Sequence, residues 1–243
     1  MTKKITGNLA TFPDRIHILP KMVASIIDQV DELRIFFNDM KRVDKKYLKP
    51  LYDNPKIKLV TDHAKDLTDN GKFFFIPPPD SDDEIYFMLD DDLLYPKDYV
   101  KKTIEFMAKY PNTIITYHGR KLKGKGLSYY RGHEAFRCLG NVHSDKIIDV
   151  CGTGVSAFDT YYFKPNAKIL SYSLRQKMSD LVFSLEVARE GMEIMLCNHK
   201  LEWFGYLNPK NTIWDQHANK PTPYQNSMAD QIYDFNYATK NTK

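Results

Sequence analysis

The chain has 243 residues, of which 42% are hydrophobic and 13% aromatic, so it can bury a sizeable core in one large domain or two small ones. Its 35 basic and 31 acidic residues give a net charge of only +4, and no long basic run is present, so nucleic acid is not an expected partner. The three cysteines share no CxxC spacing, which argues against a disulfide framework or a zinc site and for a reducing compartment.

The sequence contains no apolar run that approaches the ~20 residues of a membrane helix. The charged N-terminus is also not followed by the apolar core of a signal peptide. We therefore expect a cytoplasmic protein, with peripheral contact with a membrane left open.

The first half of the chain alternates predicted strands and helices. Strands are expected at Ile5–Thr11, Leu33–Phe37, Lys56–Val60, Glu84–Leu89 and Thr113–Tyr117, and helices from Leu19 and over Lys97–Tyr110. Polar residues cluster where these strands end. This pattern is typical of an α/β fold with a doubly wound, mostly parallel sheet, in which ligands bind outside the carboxyl ends of the strands.

The second half is less regular. Strands are expected at Ile147–Val150, Val155–Phe158 and Met192–Cys197, with Ser179 capping a helix over Leu181–Glu190. We predict one domain over residues 1–217, divided into a nucleotide-binding half at about 1–117 and an acceptor half at about 118–217. Residues 218–243 are polar and are expected to form a loosely attached or disordered tail.

The most informative segment is the predicted strand at 84–89, because Asp90, Asp91 and Asp92 follow it directly. Adjacent carboxylates repel one another, and packing alone gives no reason to place three of them at the end of a buried strand. A bound divalent cation would explain the three acids, because carboxylate oxygens are suitable ligands for Mg²⁺ or Mn²⁺. Proteins commonly bind these ions together with substrate phosphates. The alternative is a solvated acidic turn at a helix N-terminus. A second acidic stretch, at 80–83, follows three prolines and predicts a solvated loop.

The strand and its acids resemble the DxD motif of glycosyltransferases with the GT-A fold, and the surrounding sequence resembles the family-2 type. The turn at Thr11–Arg15, the acid Asp39 after the second strand, the segment Asp69–Phe73 and the spacing from Asp92 to Pro96 carry this resemblance. It implies a single Rossmann-like GT-A domain with a mixed, mostly parallel central sheet flanked by helices. It also implies an inverting transfer of a sugar from a nucleotide-diphospho-sugar to a hydroxyl of a glycan or lipid-linked acceptor. The expected nucleotide is UDP.

The resemblance also implies roles for individual residues. Asp90 would face the ribose and, with Asp92, hold Mn²⁺ or Mg²⁺ on the diphosphate, while Asp91 could serve either task. The other donor-binding residues implied in this way are Thr11, Pro13, Arg15, Asp39 and Lys72. Turn chemistry explains Thr11 and Pro13 equally well, and a surface ion pair explains Arg15 equally well.

Three further features complete the predicted site. The turn Gly152-Thr153-Gly154 would lie beside the donor sugar and acceptor, although a tight hairpin turn explains it equally well. Asp180, at the start of a predicted helix, would act as general base toward the acceptor hydroxyl; the alternative is that it only stabilises the helix N-terminus. In the family a late histidine often completes such a metal site, with His217 preferred to His199, although a histidine is more often a surface or core residue than a ligand.

The basic stretch from Arg120 to Arg131 has two interpretations. It is a solvated loop, or an acceptor-side lid that attracts phosphate or an anionic lipid-linked acceptor. Two alternatives to the transferase hypothesis also stay open. A sugar-nucleotide pyrophosphorylase would need a glycine-rich, arginine-containing loop after the first strand, and residues 11–15 contain no glycine. The intact acids Asp90, Asp92 and Asp180 argue against an inactive sugar-nucleotide or glycan-binding module.

Overall fold

The computed structural model describes residues 3–39, 46, 48–61, 63, 66–166, 178–207 and 223–238. The strands are Lys4–Thr11 (β1), Glu32–Phe37 (β2), Ile57–Val60 (β3), Glu84–Leu89 (β4), Leu93–Leu94 (β5), Thr113–Thr116 (β6), Gly119–Leu122 (β7), His133–Phe136 (β8), Lys146–Ile148 (β9), Val150–Cys151 (β10), Val155–Asp159 (β11), Glu193–Leu196 (β12) and Gly205–Tyr206 (β13). The α-helices are Leu19–Ile26 (α1), Lys49–Tyr52 (α2), Tyr99–Lys109 (α3), Ser179–Arg189 (α4) and Pro223–Tyr233 (α5). Short 3₁₀ segments include Pro13–Arg15 and Thr68–Phe73.

The central sheet has eight strands in the order β3-β2-β1-β4-β11-β6-β12-β9. It is parallel from β3 to β4, but β11 is antiparallel to both of its neighbours, β4 and β6. The predicted α/β class with a mixed sheet is therefore confirmed.

Strand β4 is buried on both faces because helices cover both sides of the sheet. Phe87 and Leu89 belong to an apolar cluster that includes residues of α1 and α3. Tyr86 and Met88 point the other way and belong to a cluster that includes residues of α4 and α5. Successive side chains of a strand alternate between its faces, so a continuous apolar run is what such a position requires.

The order of the first four strands creates a crevice. β1 pairs in parallel with β2 on one side and with β4 on the other, so the carboxyl ends of β1 and β4 lie side by side. The chain moves outward from β1 to β3 and then returns to the opposite side of β1. Ligands of open α/β sheets bind outside the strand ends at such a reversal of strand order.

A small antiparallel sheet, in the order β10-β7-β8, stands beside the central sheet. The predicted strand at Ile147–Val150 is divided, because β9 joins the central sheet while β10 joins the small one. The turn at 152–154 therefore connects two sheets, which corrects the hairpin alternative. Arg120 and Lys121 lie on β7, so the basic stretch begins as a strand and not as a loop.

The start of helix α4 also differs from the prediction. Ser179 is the first helical residue and not the cap, and Met178 at the cap position makes no capping side-chain hydrogen bond. The backbone N–H of Ser179 instead donates to Asp69 Oδ2 at 3.0 Å. A carboxylate from the Thr68–Phe73 segment therefore supplies the cap from a distant part of the sequence.

Residues 223–238 are ordered against the domain, unlike the loosely attached tail that the sequence predicts. Met228 and Ile232 of α5 are buried in the cluster that contains α4. A helix this polar still has an apolar stripe wide enough to pack. Among the described residues, no helix is long and apolar enough to cross a membrane.

Candidate functional site

A cleft of about 680 Å³ opens at the carboxyl ends of β1 and β4. Seven of the predicted site residues line it, namely Arg15, Lys72, Asp90, Asp91, Asp92, Thr153 and Asp180. These residues come from five separate stretches of the chain. The fold therefore brings together most of the charged side chains that the sequence singles out.

Asp91 points back into the protein and organises the wall of the cleft. Its carboxylate is 2% exposed and accepts hydrogen bonds from Thr11 Oγ1 at 2.7 Å and from Arg15 Nη1 at 2.5 Å. Burial raises the pKa of Asp91, and the charge of Arg15 opposes this rise. Thr11 is fully buried, so its hydroxyl holds Asp91 and does not line the cleft.

Asp92 carries negative charge that the protein compensates only weakly. Its nearest cationic partner is Arg15, whose Nη1 lies 3.4 Å from Asp92 Oδ2. Burial, together with repulsion from Asp90 and Asp91, raises the pKa of Asp92 to about 7. A ligand that brings positive charge to this position would relieve that cost.

Asp90 is paired with a buried lysine. Lys72 Nζ donates to Asp90 Oδ1 at 2.5 Å, with the lysine side chain 3% exposed and the aspartate side chain 42% exposed. Burial disfavours the charged ammonium group, but the charge and hydrogen bond of Asp90, together with the charges of Asp69 and Asp180, outweigh burial and raise the pKa of Lys72. Lys72 is therefore a fixed positive charge behind a carboxylate that faces the cleft.

Two uncharged residues fix the position of Asp90. Tyr95 accepts a hydrogen bond from the Asp90 backbone N–H at 2.8 Å and donates to the carbonyl oxygen of Gly154 at 2.6 Å. Gly154 packs so closely that an added Cβ would lie 2.0 Å from Asp90 Oδ2. Gly152 is similarly close to the ring of His118, at 2.8 Å from an added Cβ. Both glycines are required by close approach, although neither lines the cleft.

Asp180 lies in the first turn of α4, on the side of the cleft formed by Thr153. Its Oδ1 accepts hydrogen bonds from the backbone N–H and from the hydroxyl of Thr153, both at 2.8 Å. The Thr153 hydroxyl also lies 2.8 Å from Ser179 Oγ. These bonds fix the carboxylate of Asp180, and no described residue donates a hydrogen bond to its second oxygen, which can meet a ligand.

The far end of the cleft is basic, and the sequence signals it only in part. It contains Arg120 on β7, Tyr130, His133 on β8 and Arg137 directly after β8. Arg120 belongs to the predicted basic stretch, and His118, just before β7, also lines the cleft. Tyr130 lies in that stretch too, whereas His133 and Arg137 were missed because only the pairing of β7 with β8 brings them to the site.

The remaining predicted residues lie elsewhere. Pro13 and Asp39 do not line the cleft, although Pro13 begins the 3₁₀ turn that carries Arg15. His199 is buried outside the cleft, with Nδ1 3.0 Å from the carbonyl oxygen of Cys197. His217 lies outside the described residues.

No protein-family model matches this chain, and no curated protein matches its sequence significantly. Within the described ranges, no group of three or more His, Cys, Asp or Glu side chains is arranged to hold a metal ion.

Proposed function

We propose that this protein is a metal-dependent glycosyltransferase of the GT-A type. It would move a sugar from a nucleotide-diphospho-sugar, with UDP as the expected nucleotide, to a hydroxyl of a glycan or lipid-linked acceptor. One observation carries this proposal. Asp90 and Asp92 lie at the reversal of strand order and share one cleft with Arg15, Lys72 and Asp180.

The donor set fits a hard divalent cation. Asp90 and Asp92 offer carboxylate oxygens only, and the weakly compensated charge at Asp92 favours a cation there. Mg²⁺ is commonly bound through one or two carboxylates, with water and substrate phosphates as its other ligands. Asp90 and Asp92 would hold the ion, which would supply positive charge to the diphosphate.

The residues around this site suit the departure of a diphosphate. Lys72 and Arg15 place two further positive charges at the same end of the cleft. Groups held rigidly before the reaction stabilise developing charge without reorganisation, and the contacts of Lys72 with Asp90 and of Arg15 with Asp91 provide that rigidity.

Asp180 would act on the other reactant. As the acceptor oxygen bonds to the anomeric carbon, the bond from that carbon to the diphosphate breaks, and the hydroxyl proton passes to the Asp180 carboxylate. Direct displacement of this kind inverts the anomeric centre. The bonds from Thr153 leave one carboxylate oxygen of Asp180 for this proton.

Calorimetry with UDP tests this proposal. Wild-type protein should bind UDP in the presence of Mn²⁺ and lose most of that affinity when EDTA removes the metal. Asp92→Asn should weaken metal-dependent binding at least tenfold, because the amide keeps the size of the side chain but removes its charge. Asp82→Asn, an exposed acid of the neighbouring 80–83 loop, is the matched control and should bind as wild type does.

Two outcomes would overturn the proposal. Binding of UDP that is equally strong with and without metal would remove the assigned role of Asp90 and Asp92. An affinity of Asp92→Asn equal to that of Asp82→Asn would place the nucleotide site elsewhere.

A further inference from the structure

The cleft is divided by charge. At one end, Asp90 and Asp92 pair with Lys72 and Arg15, whereas Arg120 and Arg137, which line the basic end, form no ion pair with a described carboxylate. Asp180 is linked to the acidic end through Thr153, whose backbone N–H donates to Asp180 and whose carbonyl oxygen lies 3.4 Å from Lys72 Nζ, and its charge also acts on Arg120. The two ends are therefore suited to different chemical groups.

Arg120 is costly to keep in this position without a ligand. Its guanidinium group stacks over the ring of Tyr129, with 4.5 Å between Cζ and the ring centre, and Nη1 donates to the Tyr129 hydroxyl. Within the part of the chain that the structure describes, no carboxylate lies within ion-pair distance of Arg120. Burial lowers the pKa of Arg120; the charge of Asp180 opposes this effect only in part, and repulsion from Arg137 adds to it.

Arg137 adds a second guanidinium to the same wall. Its side chain is exposed, and it makes no ion pair with any described carboxylate. Its backbone is nevertheless held, because its carbonyl oxygen accepts from Gly140 N at 2.9 Å and lies 3.3 Å from His199 Nε2. A fixed backbone with an unpaired guanidinium group is suited to binding a ligand.

The neighbouring histidines, His118 and His133, add no positive charge to this end of the cleft. Burial lowers the pKa of His118, and burial together with the charges of Arg120 and Lys123 lowers the pKa of His133 to about 4. Both rings are therefore neutral near pH 7. The positive charge of this end comes from the two arginines.

We propose that Arg120 and Arg137 bind an anionic group, a phosphate, sulfate or carboxylate, on the molecule that meets Asp180. Guanidinium groups match the planar pairs of oxygens that such anions present. An anion would also satisfy the half-buried charge of Arg120. The proposal rests on the proposed function only for the role of Asp180, since the anion itself would bind whether or not transfer occurs.

Titration with inorganic phosphate tests the site directly. Binding is measured by calorimetry without metal, and again with Mg²⁺ and UDP so that the diphosphate end is filled. Arg137→Gln and Arg120→Gln should each weaken phosphate binding roughly tenfold, since each removes a charged hydrogen bond. Arg131→Gln is the matched control, because Arg131 is exposed in the same segment but does not line the cleft.

Equal phosphate affinity in all four proteins would overturn the proposal. Arg120 packs on Tyr129, so thermal melting is followed for each variant, and the exposed Arg137→Gln decides the result if Arg120→Gln does not fold. A failure of UDP to bind would count against the proposed function alone, because the metal-free phosphate titration does not depend on UDP.

A second pair of titrations identifies the source of the anion. If the donor sugar carries it, Arg137→Gln should weaken binding of UDP-glucuronic acid about tenfold more than binding of UDP-glucose. If the acceptor carries it, the two sugar nucleotides should respond alike, and phosphate should still bind when UDP-glucose saturates the protein. Either result supports an anion site. Loss of phosphate binding in saturating UDP alone would overturn it, because phosphate would then occupy the diphosphate end.

Discussion

Asp90 owes its position to residues that carry no charge. The Tyr95 hydroxyl ties the Asp90 backbone to Gly154, and Gly154 leaves the space in which the Asp90 carboxylate lies. A methyl group at position 154 would overlap that carboxylate. The geometry of the acidic triplet therefore depends on a glycine more than 60 residues away in sequence.

Gly154→Ala should displace the Asp90 carboxylate and weaken metal-dependent UDP binding at least tenfold. Calorimetry in the presence of Mn²⁺ measures this loss. Gly124→Ala is the control, because an added Cβ there would meet only the Leu127 side chain at 3.6 Å, an ordinary contact distance. If both alanine variants bind UDP equally well, the contact between Gly154 and Asp90 does not matter for the site.

Substitution of Asp180 is expected to slow the chemical step without weakening donor binding. In Asp180→Asn the amide oxygen can still accept the two bonds from Thr153, so the turn should keep its structure. UDP affinity should change less than twofold, while Mn²⁺-dependent hydrolysis of a UDP-sugar should fall about 10²-fold or more, the usual contribution of a general base. Turnover at the wild-type rate would leave Asp180 with the alternative role of stabilising the start of α4.

At the scale of elements, the local sequence predicted those strands and helices in which apolar residues recur at a regular spacing along the whole element. β4 was predicted with its observed bounds, and α1 from its first residue, because burial imposes a regular apolar pattern on each. The sequence likewise predicted that the three acids at 90–92 directly follow β4.

Elements that depend on distant partners were not predictable in this way. β7 and β8 are short and carry polar side chains, so only their pairing with each other and with β10 shows them to be strands. The cap of α4 comes from Asp69, about 110 residues earlier, and no local spacing signals it. His133 and Arg137 were missed for the same reason, although Arg120 belongs to the predicted basic stretch.

Asp145 shows how one carboxylate joins elements across the sheet. It accepts bonds from Lys109 Nζ at 2.8 Å and Tyr110 Oη at 2.6 Å at the end of α3, and from the backbone N–H of Asn198 at 2.8 Å after β12. Burial alone would raise the pKa of Asp145, but these bonds outweigh it and lower the pKa from 3.8 to about 2. The charged form is therefore favoured by folding.

This lowered pKa predicts how stability depends on pH. Asp145 contributes its full stabilisation at pH values above its ordinary pKa, and the contribution is lost as the pH falls from about 5 to about 2. Asp145→Asn should lower the free energy of unfolding by about 2 kcal/mol at pH 7. The difference from wild type in urea unfolding should shrink at pH 4 and again at pH 3.

The matched control for this series is Asp53→Asn. Asp53 forms an exposed ion pair with Lys49, with both side chains more than half exposed, and should contribute less than about 0.5 kcal/mol. A constant difference between Asp145→Asn and wild type from pH 7 to pH 3 would contradict the assigned cause.

At the scale of the whole molecule, α5 joins the fold core to the basic end of the cleft. Its buried face packs in the cluster that contains α4, and its polar face holds the segment that leads to Tyr130. Asn226 Oδ1 accepts from Tyr129 N at 2.8 Å, and Asp230 Oδ1 accepts from Gly126 N at 2.7 Å. The backbone that carries Arg120's stacking partner is therefore positioned by the C-terminal helix.

Ile232→Ala tests whether this helix is part of the cooperative fold. Ile232 is fully buried, so the truncation should lower the free energy of unfolding by about 3 kcal/mol, as expected for a large core residue reduced to alanine. Gln231→Ala, on the exposed face of the same helix, should cost less than about 0.5 kcal/mol. Urea unfolding measures both, and equal stability of the two variants would mean that α5 does not contribute to the core.

Because α5 also holds residues 126–129, Ile232→Ala should weaken phosphate binding at the basic end while leaving metal-dependent UDP binding within twofold of wild type.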